Sequence, residues 1–150
     1  MAPGEPQERY TSFLGTGWSF PPEFVAGEQA GQVVMTPDEA DVDASLRILF
    51  GTATGERFLH PKYGLDMHEL LFDAIGTTMK TYLEDRIKTA ILVYEPRINL
   101  LSLALDTSRQ TEGRLQIEVE YEVRATNSRY NLVYPFYTSD SNEARASLSA

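Results

Sequence analysis

The hydrophobic pattern of this chain changes its period on the two sides of Pro96. Before Pro96, apolar residues recur every three to four positions, which predicts a helix from about Thr77 to Val93. The apolar stripe of this helix comprises Met79, Leu83, Ile87, Ala90 and Ile91. After Pro96, apolar and polar residues alternate along 114–126, which predicts a strand with one buried face. Because proline pushes the preceding residue out of the helical region, Pro96 marks the place where helix gives way to sheet.

The alternating segment also predicts which of its side chains are buried. The inward set is Leu115, Ile117, Val119, Tyr121 and Val123, and the outward set is Gln116, Glu118, Glu120, Glu122 and Arg124. The segment 98–106, INLLSLALD, is apolar at both odd and even positions, which predicts a strand buried on both faces or nearly so. A third strand follows Asn127-Ser128 and is predicted to end at Pro135, a position typical of an edge strand.

An earlier helix is predicted from Thr36 to about Phe50. Thr36 suits the N-cap, Pro37 the first helical position, and Glu39 the capping-box position three residues after the cap. Gly51 is a typical helix end, and a short helix is predicted over 65–72. Helices followed by an antiparallel meander indicate an α+β fold, with an N-terminal irregular segment and two to three helices packed on a C-terminal β-meander.

The chain is predicted to form one domain over residues 10–137. Residues 1–9 are polar and carry two prolines, which favours a flexible arm, and residues 138–150 are polar, which favours a disordered tail. The segment 10–24 cannot form regular helix across Pro21-Pro22. Its aromatic residues are expected to lie against the core as an irregular strand or loop; they are Phe13, Trp18, Phe20 and Phe24.

Charge and composition exclude several classes of function. The formal net charge is −9, from 13 basic and 22 acidic residues, which disfavours binding to nucleic acid or to anionic lipid. No apolar run reaches the roughly 20 residues of a membrane-spanning helix, so no membrane insertion is expected. The absence of cysteine excludes disulfides and thiolate metal sites and fits a reducing cytoplasmic compartment.

The sequence offers little that resembles catalytic machinery. His60 and His68 lack metal-ligand spacing, and GTATGER lacks the ending of a phosphate-binding loop, so we expect no metal and no cofactor. Glu118, Glu120 and Glu122 share one strand face, where solvated charge is expected. No acid clearly interrupts an apolar pattern, as a catalytic carboxyl group would. We therefore predict no catalytic residue.

The tripeptide Glu95-Pro96-Arg97 lies at the helix-to-strand junction and admits two interpretations. It can be a helix stop whose charges are solvated or paired with each other, worth about 0–1 kcal/mol if exposed. Alternatively, Pro96 directs the two charges toward a partner from a rigidly positioned junction. The residues alone favour the first interpretation.

Four segments, occurring in order, resemble one known family. They are FLGTGWSFPPEF (13–24), SLRILFGTATGERFLHPKYG (45–64), ILVYEPRI (91–98) and NSRYNLVYPFY (127–137). Together they resemble the baseplate wedge proteins of contractile phage tails, a family that also carries a lysozyme-like label. Relatives occur in type VI secretion baseplates and in phage-tail-like extracellular injection systems. The resemblance covers residues 10–137 and does not distinguish these machines.

The resemblance implies a structural role. It implies a fold similar to the interlocking domain of sheath subunits, and docking of Glu95, Pro96 and Arg97 onto the core bundle of the wedge. It implies partners among sheath subunits, other wedge proteins and the tube or hub region, with about six copies in a ring. It assigns no role to the matching element Gly55-Glu56-Arg57. A peptidoglycan hydrolase is the alternative function.

The last predicted strand is our candidate edge for sheath binding. Sheath subunits interlock by adding strands to a neighbouring sheet, and an edge strand offers unpaired backbone groups for such pairing. The candidate edge is 129–136, with Tyr130, Leu132 and Tyr134 as partner-binding residues. Alternatively, the aromatic N-terminal segment covers this edge.

Overall fold

The structure is a computed structural model that describes residues 13–27, 31–65, 67 and 75–137. Its elements are β1 (Thr16–Trp18), β2 (Phe24–Ala26), β3 (Gly31–Val33), β4 (Met35–Pro37), α1 (Asp38–Gly51), α2 (Thr77–Tyr94), β5 (Ile98–Asp106), a 3-10 turn (Gln110–Glu112), β6 (Arg114–Val123) and β7 (Ser128–Tyr137). The fold is therefore α+β, as predicted. The predicted arm, the predicted tail and most of the predicted helix 65–72, including His68, lie outside the described residues.

The chain divides into two compact units, Met1–Ala44 and Ser45–Ala150, with the boundary inside α1. In the first unit, β1 pairs with β4 and β2 pairs with β3, all antiparallel. Val34 joins β3 to β4 and makes two backbone hydrogen bonds. Its amide donates to the Glu23 carbonyl and its carbonyl accepts from the Ser19 amide, each at 2.9 Å.

Two sequence predictions for the first unit are wrong. The aromatic side chains expected against the core are exposed: Phe13 by 89%, Trp18 by 61%, Phe20 by 59% and Phe24 by 70%. The expected cap arrangement at Thr36 is also absent, because Thr36 and Pro37 belong to β4 and the helix begins at Asp38. The Asp38 amide donates to the Gly15 carbonyl at 3.1 Å, which ties the start of α1 to the segment before β1.

The second unit is built on an antiparallel sheet of three strands in the order β5-β6-β7. The alternation of β6 is confirmed, since its inward side chains are at most 1% exposed: Leu115, Ile117, Val119, Tyr121 and Val123. The stripe of α2 is confirmed at Leu83, Ile87, Ala90 and Ile91, whereas Met79 is 39% exposed. α2 contacts β5, and Phe50 near the end of α1 contacts Tyr134 of β7, with ring centroids 5.7 Å apart.

β5 differs from its prediction because it contains a bulge. The pairing register shifts between Leu100, opposite Tyr121, and Ser102, opposite Glu120. The extra residue, Leu101, is 43% exposed. The inward apolar positions consequently move from even numbers, 98 and 100, to odd numbers, 103 and 105. The apolar residues on both parities therefore reflect one buried face with a register change, and the prediction of a strand buried on both faces is wrong.

Candidate partner-docking surface

Glu95, Pro96 and Arg97 form the short connection between α2 and β5. The Glu95 amide donates to the Ile91 carbonyl at 2.8 Å and completes the last turn of α2. Pro96 cannot donate a further helical bond, and β5 begins two residues later at Ile98. The predicted helix stop is thus confirmed, and the junction fixes the direction of the residues on both sides of the proline.

The side chains of Glu95 and Arg97 are paired with each other. Arg97 Nε donates to Glu95 Oε1 at 2.6 Å, and Arg97 Nη2 donates to Glu95 Oε2 at 2.8 Å. Glu95 is buried, with 3% of its side chain exposed, whereas 28% of the Arg97 side chain is exposed. This is a bidentate, charge-assisted pair, and it differs from the weak solvated pair that the residues alone favoured. The carboxylate orients the guanidinium, and the Arg97 side chain as a whole stays partly exposed.

Arg124 ties this junction to the end of β6. The Arg124 amide donates to the Arg97 carbonyl at 3.0 Å, and Arg124 Nε donates to the Ile98 carbonyl at 3.1 Å. The sequence pattern placed Arg124 on the outward face but did not reveal this role, which depends on where β6 ends in space. Arg124 therefore binds the carbonyls of two consecutive residues, Arg97 and Ile98, at the start of β5.

A cluster of aromatic rings lies next to the junction. The rings of Tyr63 and Tyr94 meet edge to face, with centroids 5.0 Å apart, and the Arg57 guanidinium lies 4.2 Å from the centre of the Tyr63 ring. Burial raises the pKa of Tyr63, and the nearby Glu95 carboxylate raises it further, while Arg57 acts in the opposite direction. Sequence reasoning missed this cluster, because its members are far apart along the chain.

The same side of the second unit contains a groove of about 330 Å³ between residues 62–65 and α2. Its lining includes the apolar residues Leu65, Ala90 and Val93 and the charged residues Lys62, Asp85 and Arg86. The groove reaches Tyr94, the residue before Glu95. The groove is thus adjacent to the junction along α2, and its lining combines apolar and charged groups.

The three predicted partner-binding residues of β7 face the protein interior. Tyr130 stacks on Tyr121 with ring centroids 5.8 Å apart, Leu132 is 1% exposed, and Tyr134 contacts Phe50 and Phe136. Burial raises the pKa of Tyr134. β7 is an edge of the three-stranded sheet, as expected, although it continues past Pro135 to Tyr137. A partner strand at this edge would contact the β7 backbone and leave these three side chains in the core.

The carboxylates that the sequence singled out lie on the outer face of β6 and at the junction between α2 and β5. Glu118 and Glu120 are exposed on the outer sheet face, and Glu122 is half-buried, in agreement with a solvated face. Both oxygens of the buried Glu95 accept hydrogen bonds from Arg97. Within the part of the chain that the structure describes, no three His, Asp or Glu side chains are grouped as metal ligands, and no helix is long and apolar enough to cross a membrane.

The comparison with protein families identifies the class to which the chain belongs. The model of the baseplate wedge protein gp25 family matches residues 36–128, more than half of the chain. The chain therefore belongs to the baseplate wedge protein family, a family of structural baseplate components. No functionally curated protein matches it in sequence.

Solved structures agree with this assignment. A Geobacter sulfurreducens protein, provisionally named a tail lysozyme, is 45% identical and has a TM-score of 0.64, covering 72% of this chain and 97% of its own. A chain of the anti-feeding prophage baseplate is 26% identical with a TM-score of 0.56, covering 89% of this chain and 94% of its own. A chain of a type VI secretion baseplate, 16% identical, covers 67% of this chain and 93% of its own with a TM-score of 0.52, and shares the fold.

Proposed function

We propose that this chain is a structural component of the baseplate of a contractile injection machine and docks onto the core bundle of the wedge through Glu95, Pro96 and Arg97. The family match over residues 36–128 carries this proposal. It is supported by the similarity to a chain of the anti-feeding prophage baseplate, which extends over 89% of this chain. The sixfold symmetry of that assembly favours about six copies here.

The geometry of the junction supports the proposed docking role. The guanidinium of Arg97 is oriented by the buried Glu95 carboxylate before any partner binds, so little side-chain entropy is lost on docking. Its exposed portion can bind a carboxylate or a carbonyl group of a partner helix. Truncation of a charge that becomes buried on docking costs about 2–5 kcal/mol of binding free energy.

We also propose that the edge of β7 serves as a platform for the first ring of sheath subunits. β7 is ten residues long and pairs with β6 on one side of the sheet. The backbone groups of an edge strand can accept an added strand. Pro135 lacks a backbone donor, so the stretch from Ser128 to Tyr134 is the part of this edge best suited to pairing.

The docking role can be tested with Arg97→Lys, which keeps the positive charge but loses the bidentate geometry. Lys88→Ala is the matched control, because Lys88 also lies in this unit and makes only an exposed ion pair with Asp85 at 3.9 Å. The measurement is the amount of each variant retained in purified baseplates or tail-like particles, together with its melting temperature in isolation. We expect reduced retention of Arg97→Lys without unfolding, and normal retention of Lys88→Ala. Normal retention of Arg97→Lys would remove the basis for the docking role.

A peptidoglycan hydrolase remains the second candidate, because the Geobacter sulfurreducens relative is provisionally named a tail lysozyme. A glycosidase of the common type needs two carboxylates about 5–10 Å apart, one of them able to donate a proton. Glu95 is engaged by Arg97, and Glu118 and Glu120 are solvated. We therefore expect no clearing of purified cell wall in a zymogram of the pure protein. Reproducible clearing that a single carboxylate substitution abolishes would favour the hydrolase.

A further inference from the structure

The loop of residues 52–64 between α1 and the buried Leu65 is closed and internally bonded. Its ends meet where the Leu65 amide donates to the Thr52 carbonyl at 2.9 Å, and the Gly55 amide donates to the Pro61 carbonyl at 2.8 Å across its middle. Gly64 has a φ of +108°, and a Cβ atom at this position would overlap the Thr52 carbonyl. Loops of this length with adjoining ends are compact surface features that often carry function.

The Gly55-Glu56-Arg57 element holds this loop in shape. Glu56 Oε2 accepts a hydrogen bond from the Ala53 amide at 2.9 Å, so the carboxylate closes the first turn of the loop. The Arg57 guanidinium lies over the Tyr63 ring, which in turn contacts Tyr94 at the end of α2. The role of the element is therefore to fix the 52–64 loop to itself and to the end of α2, beside the Glu95–Arg97 pair.

The tip of this fixed loop presents two large apolar side chains to solvent. Phe58 is 95% exposed and Leu59 is 82% exposed, although the residues on both sides of them are hydrogen-bonded or stacked. Scattered exposed apolar residues are common, but an adjacent pair at the tip of a rigid loop has the properties of an interface anchor. A side chain that is held in place before binding loses little entropy when it is buried.

The charge around the tip is positive, in contrast to the whole chain. The net charge is −9 overall, yet the loop contains two basic residues, Arg57 and Lys62, and a single acid, Glu56, whose carboxylate is used within the loop. Complementary potential determines which partner such a surface accepts. The complement of an apolar tip with a basic surround is an apolar pocket with carboxylates at its rim.

We propose that Phe58 and Leu59 form a preformed anchor that inserts into an apolar, carboxylate-rimmed pocket of a neighbouring baseplate protein, and that Gly55-Glu56-Arg57 positions this anchor. The identity of the partner as a baseplate protein rests on the proposed function; the anchor itself rests on the geometry of the loop. A protein partner is favoured over an anionic membrane surface, because the overall charge of −9 repels anionic lipid and one apolar pair gives only shallow insertion.

The first experiment measures retention in purified baseplates for Phe58→Ser/Leu59→Ser. Leu92→Gln is the matched control, since Leu92 is an apolar residue on α2 that is 70% exposed. We expect the double variant to fold like the wild type and to be retained at least tenfold less, while Leu92→Gln is retained normally. Equal retention of the double variant and the wild type overturns the anchor. An equal loss for Leu92→Gln also overturns it, because the effect would then not be specific to the tip.

A second experiment identifies the surface that receives the tip. The full chain carrying the photo-crosslinker p-benzoylphenylalanine in place of Phe58 is assembled into baseplates and irradiated. We expect a crosslink to a peptide of another baseplate protein that contains both apolar and acidic residues, and a crosslink to a peptide without acids contradicts the proposed pocket. Vesicles of phosphatidylcholine and phosphatidylglycerol test the membrane as the alternative partner. If the isolated chain binds them and Phe58→Ser/Leu59→Ser does not, the partner of the tip is a membrane and the proposed protein pocket is wrong. If the wild type itself is absent from baseplates, the proposed function fails. If the wild type is present and Phe58→Ser/Leu59→Ser is retained equally well, only the anchor fails.

Discussion

Glu95 and Arg97 form a bidentate ion pair across Pro96, with donor–acceptor distances of 2.6 and 2.8 Å. The carboxylate is 3% exposed, so its charge depends on Arg97 for compensation. A buried charge that loses its partner is costly, whereas the removal of both partners is much less so. The pair is thus internal structure as well as a candidate docking element.

The first prediction concerns the stability of this pair. Arg97→Ala should lower the free energy of unfolding by about 3 kcal/mol, near the lower end for buried pairs because Arg97 is partly exposed. Glu95→Ala/Arg97→Ala should be more stable than Arg97→Ala alone, since it leaves no unpaired carboxylate. Urea unfolding of the wild type, both single variants and the double variant gives the coupling free energy. Additive effects of the two substitutions would mean that the pair does not stabilise the fold.

The pairing of Arg97 with the buried Glu95 determines how docking must be tested. If Arg97 served only in docking, Arg97→Ala would leave the isolated protein folded and damage only the assembly. Because Glu95 is buried, that variant should affect both properties. Arg97→Lys is the better probe of docking, because the ammonium group still compensates the Glu95 charge.

The sequence predicted the regular parts of the fold because those parts are encoded by local periodicity. The stripe of α2 and the alternation of β6 depend on neighbouring residues, and the helix stop at Pro96 depends on a single one. The bulge in β5 was not predictable, because a register change and a doubly buried strand give the same apolar pattern around Leu101. The prediction that the aromatic N-terminal residues lie against the core failed for another reason, because apolar side chains are often exposed.

The candidate site was only partly predictable. Glu95, Pro96 and Arg97 were singled out by residue type and position, but the burial of Glu95 and the bonds from Arg124 depend on tertiary structure. The contact between Tyr63 and Tyr94 joins residues from different elements, and no local pattern encodes it. The sequence predicted an edge position for β7 because this strand contains Pro135, and the strand order β5-β6-β7 confirms that prediction.

The second prediction uses the bulge in β5. Leu105 is 1% exposed and Leu101 is 43% exposed, although a strict alternation of two would place both on the same face. Leu105→Ala should therefore lower the free energy of unfolding by about 2–4 kcal/mol, as for other buried leucines. Leu101→Ala should change it by less than about 0.5 kcal/mol, as for exposed positions. Equal losses in chemical denaturation would show that the register does not shift at Leu101.

The third prediction concerns the closure of the 52–64 loop. Gly64→Ala places a Cβ atom against the backbone of Thr52 and forces alanine to adopt a φ of +108°. Gly55 has a φ of +89° but open space around it, so Gly55→Ala has only the conformational cost, about 1–2 kcal/mol. Gly64→Ala should be the more destabilising of the two and should speed proteolysis near Phe58. Similar melting temperatures and cleavage rates for both variants would contradict the close approach at Gly64.

The fourth prediction concerns alkaline pH and Tyr63. Burial and the Glu95 carboxylate raise the pKa of Tyr63 in the folded protein above its ordinary value of 10.0, so the folded state holds this proton more tightly than the unfolded state. The resulting contribution to stability is fully present below about pH 10 and is lost as the pH rises through the folded-state pKa.

Tyr63→Phe is the matched variant for this pH dependence, because it keeps the aromatic ring but removes the ionisable hydroxyl group. Its free energy of unfolding should fall less steeply than that of the wild type above about pH 10. Arg57→Ala should raise the pKa of Tyr63 further, since the guanidinium lowers it. Tyrosinate absorbance, measured as the difference between each protein and its Tyr63→Phe counterpart, reports this pKa directly. If Tyr63 titrates below free tyrosine, or if Arg57→Ala lowers its pKa, then the arrangement of Arg57, Tyr63 and Glu95 described above is incorrect.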